Sequence, residues 1–233
     1  MAEESSAKLK SFVGDSKFIV IDEAQRVQNI GLKLKILHDN FPQVQIAVTG
    51  SSALELSNTI NEPFTGRKFE YNLFPFLTND NIVSSYLYKD VFEFQNIRKP
   101  SVIEKLIQAL ALQTGSEVSF NELGNLLGID TLTVQKYVDL LEKAYVIFHL
   151  HSYSKNVRNE LKKSIKIYFY DNGVRNAVIS NFSSCDLRSD IGMLWENFLI
   201  SERVKNNAFH NRKAKYYFWR TSQKQEIDFI TEG

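Results

Sequence analysis

Cysteine is almost absent from this sequence, and so are the long apolar runs that cross membranes. The single cysteine, Cys185, excludes an internal disulfide, and no cluster of cysteine and histidine has zinc-site spacing. No run approaches the roughly 20 apolar residues of a membrane span. The N-terminal residues MAEESSAKLKSF are acidic and polar, unlike a signal peptide. We therefore expect a cytoplasmic protein that has no membrane partner.

An excess of charge of either sign is also lacking. The sequence has 28 Lys and Arg residues against 27 Asp and Glu residues, a formal net charge of +1. No overall field therefore attracts nucleic acid, and any such contact must come from a local basic patch. With 233 residues, 43% of them hydrophobic, the chain is long enough for two small domains with real cores.

Two acids follow an apolar run in the segment KFIVIDEAQR. Residues 18–21 predict a strand buried on both faces, and Asp22 and Glu23 come directly after it. A helical stripe and a second strand, VQIAVTGSS, follow, so the segment is a βαβ unit with parallel strands. Ligands of open parallel sheets bind at the carboxyl ends of the strands, where Asp22, Glu23 and Thr49 are expected. The alternative is a surface turn after a buried strand.

Residues 100–171 change to helical periodicity. Two capping boxes, Ser101 with Glu104 and Ser119 with Glu122, open apolar helices, and the helix TLTVQKYVDLLEKAY follows. Two strands, VIFHLHSY and SIKIYFYD, then flank a charged turn. Three helices and a hairpin predict a winged helix-turn-helix.

From residue 172 the sequence predicts a helix, IGMLWENFLISERV, and two strands, KYYFWR and EIDFI. A helix and two antiparallel strands cannot close a core alone. We therefore expect this module to be incomplete.

Seven segments in this order resemble a large prokaryotic family of AAA+-type ATPases. They are FIVIDEAQ, IAVTGSS, GRKFEYNLFPF, TLTVQKYVDLLEKAYVIFHL, KIYFYDNGVRN, LWENFLISE and YYFWRTSQKQEIDF. Members of that family carry a C-terminal region of unknown function, with a winged helix and a fold related to PD-(D/E)xK nucleases. The resemblance covers nearly the whole chain from Lys17 onward.

The resemblance implies ATP and Mg²⁺ as cofactors and a Walker B site at the strand ends. Asp22 would hold magnesium through water, Glu23 would act on the attacking water, and Thr49 would take the sensor-1 position. Arg67 would be an arginine finger directed at a neighbouring copy, so a homo-oligomer is an expected partner. The alternative is that these residues are a vestige of such a site, retained without its activity.

The Walker A string G-x-x-x-x-G-K-[ST] occurs nowhere in the sequence. We therefore expect an internal fragment of a longer protein, inactive toward ATP because nothing grips the phosphates.

The C-terminal resemblance implies two further classes of site. Glu196 and Asp228 would ligate a metal in a nuclease-like site; the alternative makes them an ordinary helix acid and an outward-facing strand residue. DNA is the second expected partner, contacted by the last winged-helix helix or by the basic turn. The alternative for the basic turn is that it is simply exposed to solvent and contacts no DNA. The predicted nucleic-acid contacts are Thr133, Gln135, Lys136, Lys155, Arg158, Lys162 and Lys163.

The predicted fold class is α/β, in four segments. Residues 1–78 form the back half of an AAA+-like ATPase core with a partial parallel sheet, residues 79–99 a connector, residues 100–171 the winged helix and residues 172–233 the start of a restriction-endonuclease-like module. We expect the chain to be a fragment of a protein that binds and hydrolyses ATP and has a DNA-associated C-terminal region. The alternatives are a non-enzymatic winged-helix module for DNA binding or interaction, and a metal-dependent nuclease.

Overall fold

The computed structural model describes residues 11, 13–50, 68, 69, 71, 100–153, 165–221, 223 and 225–233. These residues form a mixed α/β fold, as predicted. The chain divides into two compact units, residues 1–70 and residues 71–233, and each is described by itself. The predicted connector, residues 79–99, lies outside the described residues, as does most of GRKFEYNLFPF.

The first unit contains the predicted strand, helix and strand. Strand β1 is Phe18–Ile21, helix α1 is Ile30–Asn40 and strand β2 is Gln45–Val48. The two strands are parallel and in register from Phe18 opposite Gln45 to Ile21 opposite Val48, which confirms the βαβ prediction. Helix α1 places its apolar stripe, Ile30, Leu34 and Leu37, in the core.

The prediction that β1 is buried on both faces is wrong. Ile19 is 8% exposed and packs with Leu37 and Val44, whereas Phe18 and Val20 are 54% and 57% exposed. Side chains alternate across a strand, so these two residues share the face opposite Ile19. A continuous apolar run does not reveal whether both faces of a strand are covered.

Five α-helices lie in the described part of the second unit. They are α2 (Pro100–Leu112), α3 (Phe120–Leu127), α4 (Thr131–Lys143), α5 (Asn172–Val178) and α6 (Ile191–Phe209). The Ser119 hydroxyl accepts from the Glu122 backbone N–H at 3.4 Å, as predicted for a cap of α3. The corresponding prediction for Ser101 is wrong, because α2 already includes Pro100. Proline suits a first helical turn, where its missing N–H costs nothing.

One five-stranded sheet unites this unit. Its strands are β3 (Glu117–Val118), β4 (Ile147–Ser152), β5 (Ile165–Phe169), β6 (Lys215–Arg220) and β7 (Glu226–Glu232), in the order β3-β5-β4-β6-β7. Neighbours are antiparallel except β4 and β6, which pair in parallel through His151 with Tyr217 and Ser152 with Phe218. The strands after residue 172 therefore obtain their partner from β4.

Helix α6 packs against one face of the sheet and forms a hydrophobic core cluster with it. That core consists of Phe148, Leu150, Tyr168, Ile200, Val204 and Phe218. Among the described residues, no helix has the length and apolar character needed to cross a bilayer.

Candidate functional site

The carboxyl ends of β1 and β2 bring Asp22 and Thr49 into contact. The backbone N–H of Thr49 donates to Ile21 O at 2.9 Å, and the N–H of Ala24 donates to Thr49 O at 3.0 Å. These bonds extend the strand pairing by one step beyond the last paired residues. They hold the Thr49 hydroxyl where it donates to Asp22 Oδ1.

Asp22 and Glu23 turn the chain away from the sheet. Glu23 has a left-handed backbone, φ 51° and ψ 39°, and its N–H donates to Asp22 Oδ1 at 3.0 Å. The Glu23 carboxylate lies 3.4 Å from Arg26 Nε, in an exposed contact that contributes little stability. A left-handed conformation at a non-glycine residue is strained and is often found at functional sites.

Oxygen ligands of this kind suit Mg²⁺, which binds one or two carboxylates together with phosphate oxygens and water. Oδ1 of Asp22 accepts both bonds given above, and within the described residues Oδ2 accepts none. The described residues contain no group of three or more His, Cys, Asp and Glu side chains arranged to hold a metal ion. A cation at this edge would therefore need further oxygen ligands in addition to those that the described residues offer beside Asp22.

A second set of polar side chains lies in a groove lined by residues of helix α6 and strand β7. Glu196 on α6 and Asp228 on β7 both line a groove of about 520 Å³, together with Trp195, Arg203 and Phe229. The structure thus brings the two residues of the predicted nuclease-like site to one surface. Each has a protein partner there.

Glu196 accepts a 2.7 Å hydrogen bond from the Tyr168 hydroxyl. Burial raises the pKa of the Glu196 carboxyl, and the charges of Asp228 and Glu226 raise it further, against the opposing effects of Tyr168 and Lys166. Gly115 lies directly beside this carboxylate, since a Cβ there would be 3.0 Å from Glu196 Oε1.

Asp228 pairs with Lys166 instead. The Lys166 Nζ lies 3.1 Å from Asp228 Oδ1 and 2.5 Å from Glu226 Oε1, and only 4% of the Lys166 side chain is exposed. Burial lowers the pKa of this ammonium, but the hydrogen bonds to Glu226 and Asp228 outweigh burial and raise it. Lys166 is therefore a charged group inside the fold.

Three of the predicted nucleic-acid contacts lie on α4. Gln135 and Lys136 are exposed. The Thr133 hydroxyl donates to Asp130 Oδ2 at 2.6 Å, and its N–H donates to Asp130 Oδ1 at 2.9 Å, so Thr133 takes part in the helix cap. The other predicted residues, Arg67, Lys155, Arg158, Lys162 and Lys163, lie outside the described residues.

Comparison with known families gives three matches along the chain. An AAA domain matches residues 2–82, a domain of unknown function (DUF8612) matches residues 69–184, and another domain of unknown function (DUF4143) matches residues 191–233. The AAA and DUF4143 matches support an AAA-type ATPase-like family. The match over residues 2–82 includes Asp22, Glu23 and Thr49.

The similar curated proteins are themselves uncharacterized. Proteins of Mycobacterium tuberculosis and Mycobacterium bovis are each 24% identical over 94% of this chain and 57% of their own length. A Haemophilus influenzae protein is 23% identical over 91% of this chain and 62% of its own length. The chain thus spans about three fifths of the curated relatives it matches. No solved structure matches it.

Sequence reasoning missed Lys166, Tyr168 and Glu226. Two signals were available. A lysine stands between Ile165 and Ile167 in an otherwise apolar strand, and a buried lysine requires an acidic partner. Glu226 precedes Asp228 by two residues on a strand, a spacing that puts both on one face. The sequence did not show that β5 and β7 approach each other, because two strands lie between them.

Proposed function

We propose that this AAA-type chain belongs to a protein that binds and hydrolyses ATP and whose C-terminal region associates with DNA. The observation that carries the proposal is the hydrogen bond from Thr49 to Asp22 at the carboxyl ends of two parallel strands. This edge is where parallel sheets bind ligands. The AAA domain match over residues 2–82 supports the same conclusion.

Each residue has a separate task in this proposal. Asp22 would hold magnesium, and Thr49 fixes the rotamer of the Asp22 carboxylate by donating to Oδ1. Glu23 orients or deprotonates the attacking water, and Thr49 also contacts the γ-phosphate. Arg67 reaches the nucleotide of a second copy. Bound magnesium would supply positive charge against the phosphate oxygens.

The Walker A string is missing from this sequence, so we expect the chain by itself not to bind ATP. Calorimetric titration with Mg-ATP should give no heat of binding. A micromolar site in this chain would contradict that expectation.

Hydrolysis is tested in the complete reading frame that contains this chain. Glu23→Gln should lower the rate of ATP hydrolysis by about 10²–10⁴-fold, the usual contribution of a general base, with ATP affinity kept. Asp22→Asn should weaken the dependence of hydrolysis on magnesium. Asp15→Asn is the matched control, because Asp15 is an exposed acid of the same unit. Full activity in both Asp22→Asn and Glu23→Gln would refute the assignment.

A second candidate function is a non-enzymatic module that binds DNA through a winged helix. Support comes from the order of α2, α3 and α4 with the antiparallel strands β3, β5 and β4, and from the exposure of Gln135 and Lys136 on α4. DNA binding through phosphates weakens as salt rises.

Fluorescence anisotropy with duplex DNA at several salt concentrations tests this function. The combined variant Lys155→Ala, Arg158→Ala, Lys162→Ala and Lys163→Ala should lose most of the affinity and flatten the salt dependence. Lys136→Ala should weaken binding less, since it removes one contact. Lys33→Ala, an exposed lysine on α1 of the other unit, should bind like the unchanged chain. Binding that salt does not affect would exclude phosphate contacts.

A further inference from the structure

Acidic side chains of β7 converge on a single buried lysine. Lys166 Nζ contacts both Glu226 and Asp228, at 2.5 and 3.1 Å, and lies 5.4 Å from the centre of the Phe218 ring. A buried ammonium of this kind persists only when anionic partners surround it. The carboxylates of Glu226 and Asp228 therefore stabilise the charged form of Lys166 inside the fold.

The Lys166 contacts join strands that are not neighbours. In the sheet, β4 and β6 separate β5, which carries Lys166, from β7, which carries the two acids. A similar contact links Arg220 on β6 with Glu117 on β3, at 3.0 Å. Arg220 also lies 3.9 Å from Glu226. The contacts of Lys166 with Glu226 and Asp228, and of Arg220 with Glu117, therefore link strands that are not neighbours in the sheet.

The resemblance to a nuclease-like fold implies a divalent metal between Glu196 and Asp228, and the residues do not fit that arrangement. Glu196 is bonded to Tyr168, and Asp228 is bonded to Lys166. A cation bound by the Asp228 carboxylate would lie within a few ångströms of the Lys166 ammonium, and like charges at that separation repel, the more so because the Lys166 side chain is only 4% exposed. The described residues contain no group of three or more His, Cys, Asp and Glu side chains that could hold a metal ion, so a metal here would have at most two carboxylates from them.

We infer that Lys166 is the permanent cation of the Glu226 and Asp228 cluster, and that a divalent metal competes with Lys166 instead of binding beside it. Glu226 and Asp228 are then held together by a side chain of the protein. This inference concerns the second unit and does not depend on nucleotide chemistry at Asp22.

Manganese binding tests the inference, with free Mn²⁺ measured by electron paramagnetic resonance and stability by thermal unfolding. The unchanged chain should bind no Mn²⁺ at the cluster at millimolar concentration. Lys166→Met removes the cation, so its melting temperature should fall in the absence of metal and rise again with Mn²⁺. Its affinity for Mn²⁺ should exceed that of the unchanged chain by at least about tenfold.

Lys205→Met is the matched control. Lys205 is also a nearly buried lysine of the same unit, 2.8 Å from Glu202 on the same helix, so its loss should lower stability without creating Mn²⁺ binding. Adding Asp228→Asn to Lys166→Met should abolish the new binding. Asp22→Asn is present in every chain of this comparison, including the reference chain in which the second unit is unchanged, so that manganese at the first unit does not contribute.

Two results would overturn the inference. One is Mn²⁺ binding to the chain with Lys166 intact that disappears in Asp228→Asn. The other is a folded Lys166→Met chain that binds Mn²⁺ no better than its parent. Should Lys166→Met not fold, Lys166→Gln removes the same charge while keeping a hydrogen-bond donor, and the same comparison applies to it.

Discussion

The charge of Asp190 should contribute strongly to the stability of the second unit. Its carboxylate contacts Arg175 Nη1 at 2.5 Å and Arg188 Nε at 2.8 Å, and the two arginine side chains are only 2% and 3% exposed. The Arg188 hydrogen bond holds the pKa of the Asp190 carboxyl far below its usual range, with Arg175 adding to the effect against the opposing effect of burial. Asp190→Asn removes this charge at constant size.

The expected loss follows from the burial of the arginines. Removing one partner of a buried ion pair typically costs about 3–5 kcal/mol, because the remaining charge stays buried. The asparagine oxygen still accepts one hydrogen bond, and Arg175 Nε still donates to Ala111 O at 2.9 Å. We therefore expect the lower end, about 3 kcal/mol. For a unit of this size that is a fall of about 6–12 °C in melting temperature.

Thermal unfolding followed by circular dichroism measures this difference. Asp186→Asn is the control, because Asp186 is exposed in the same loop and its change should stay within about 0.5 kcal/mol. A depressed pKa gives stability that is present above the unfolded-state value, about 3.9, and is lost as pH falls toward the folded-state value. The difference in melting temperature between the unchanged chain and Asp190→Asn should therefore become smaller below about pH 4. Equal melting temperatures at pH 7 would refute the reasoning.

The other predictions concern single packing or titration events. Asn197→Leu should cost about 2–4 kcal/mol in urea unfolding, because the buried Asn197 amide pairs with both Phe169 N at 2.8 Å and Phe169 O at 3.0 Å, and both would lose their partner. Gly124→Ala should destabilise by about 1–3 kcal/mol, since its Cβ would lie 2.8 Å from a backbone oxygen, whereas Gly192→Ala, with open space around it, should not. Burial lowers the pKa of His149, but the Glu142 hydrogen bond and the charges of Glu142 and Asp139 outweigh burial and raise it. Charged His149 therefore stabilises the fold fully below about pH 6.5, and this stabilisation is lost as the pH rises through the raised pKa of His149. His149→Asn should make the free energy of unfolding less dependent on pH above pH 6.5. The same pH dependence in both chains would contradict this assignment.

Local patterns predict the positions of Asp22 and Thr49 better than they predict the contacts of Glu196 and Asp228. The strand ends at Asp22 and Thr49 could be located because strand, helix and strand follow each other closely, and a parallel pair puts both carboxyl ends at one edge. The hydrogen bond from the Thr49 hydroxyl to Asp22 depends on the side-chain rotamers of both residues. No periodicity in the sequence specifies it.

The second site depends on contacts between distant parts of the chain. Lys166 and Asp228 are 62 residues apart, and Tyr168 and Glu196 are 28 apart. Each residue was visible in the sequence, and Glu196 and Asp228 were chosen by resemblance. Their partners could not be chosen, because strand order decides which side chains of β5 and β7 meet.

Continuity of the sheet explains why the module after residue 172 need not close a core by itself. Strand β6 pairs with β4, and α6 covers Phe148 and Leu150 of β4 as well as Phe218 of β6. The buried Asn197 ties α6 to the end of β5 in the same way. The helices and strands on the two sides of residue 172 therefore share one core, and a cut at that point would expose apolar surface on both pieces. The polar cluster around Lys166 is likewise assembled from both sides, with Lys166 on β5 and Glu226 and Asp228 on β7, so it should be lost when either piece is expressed alone.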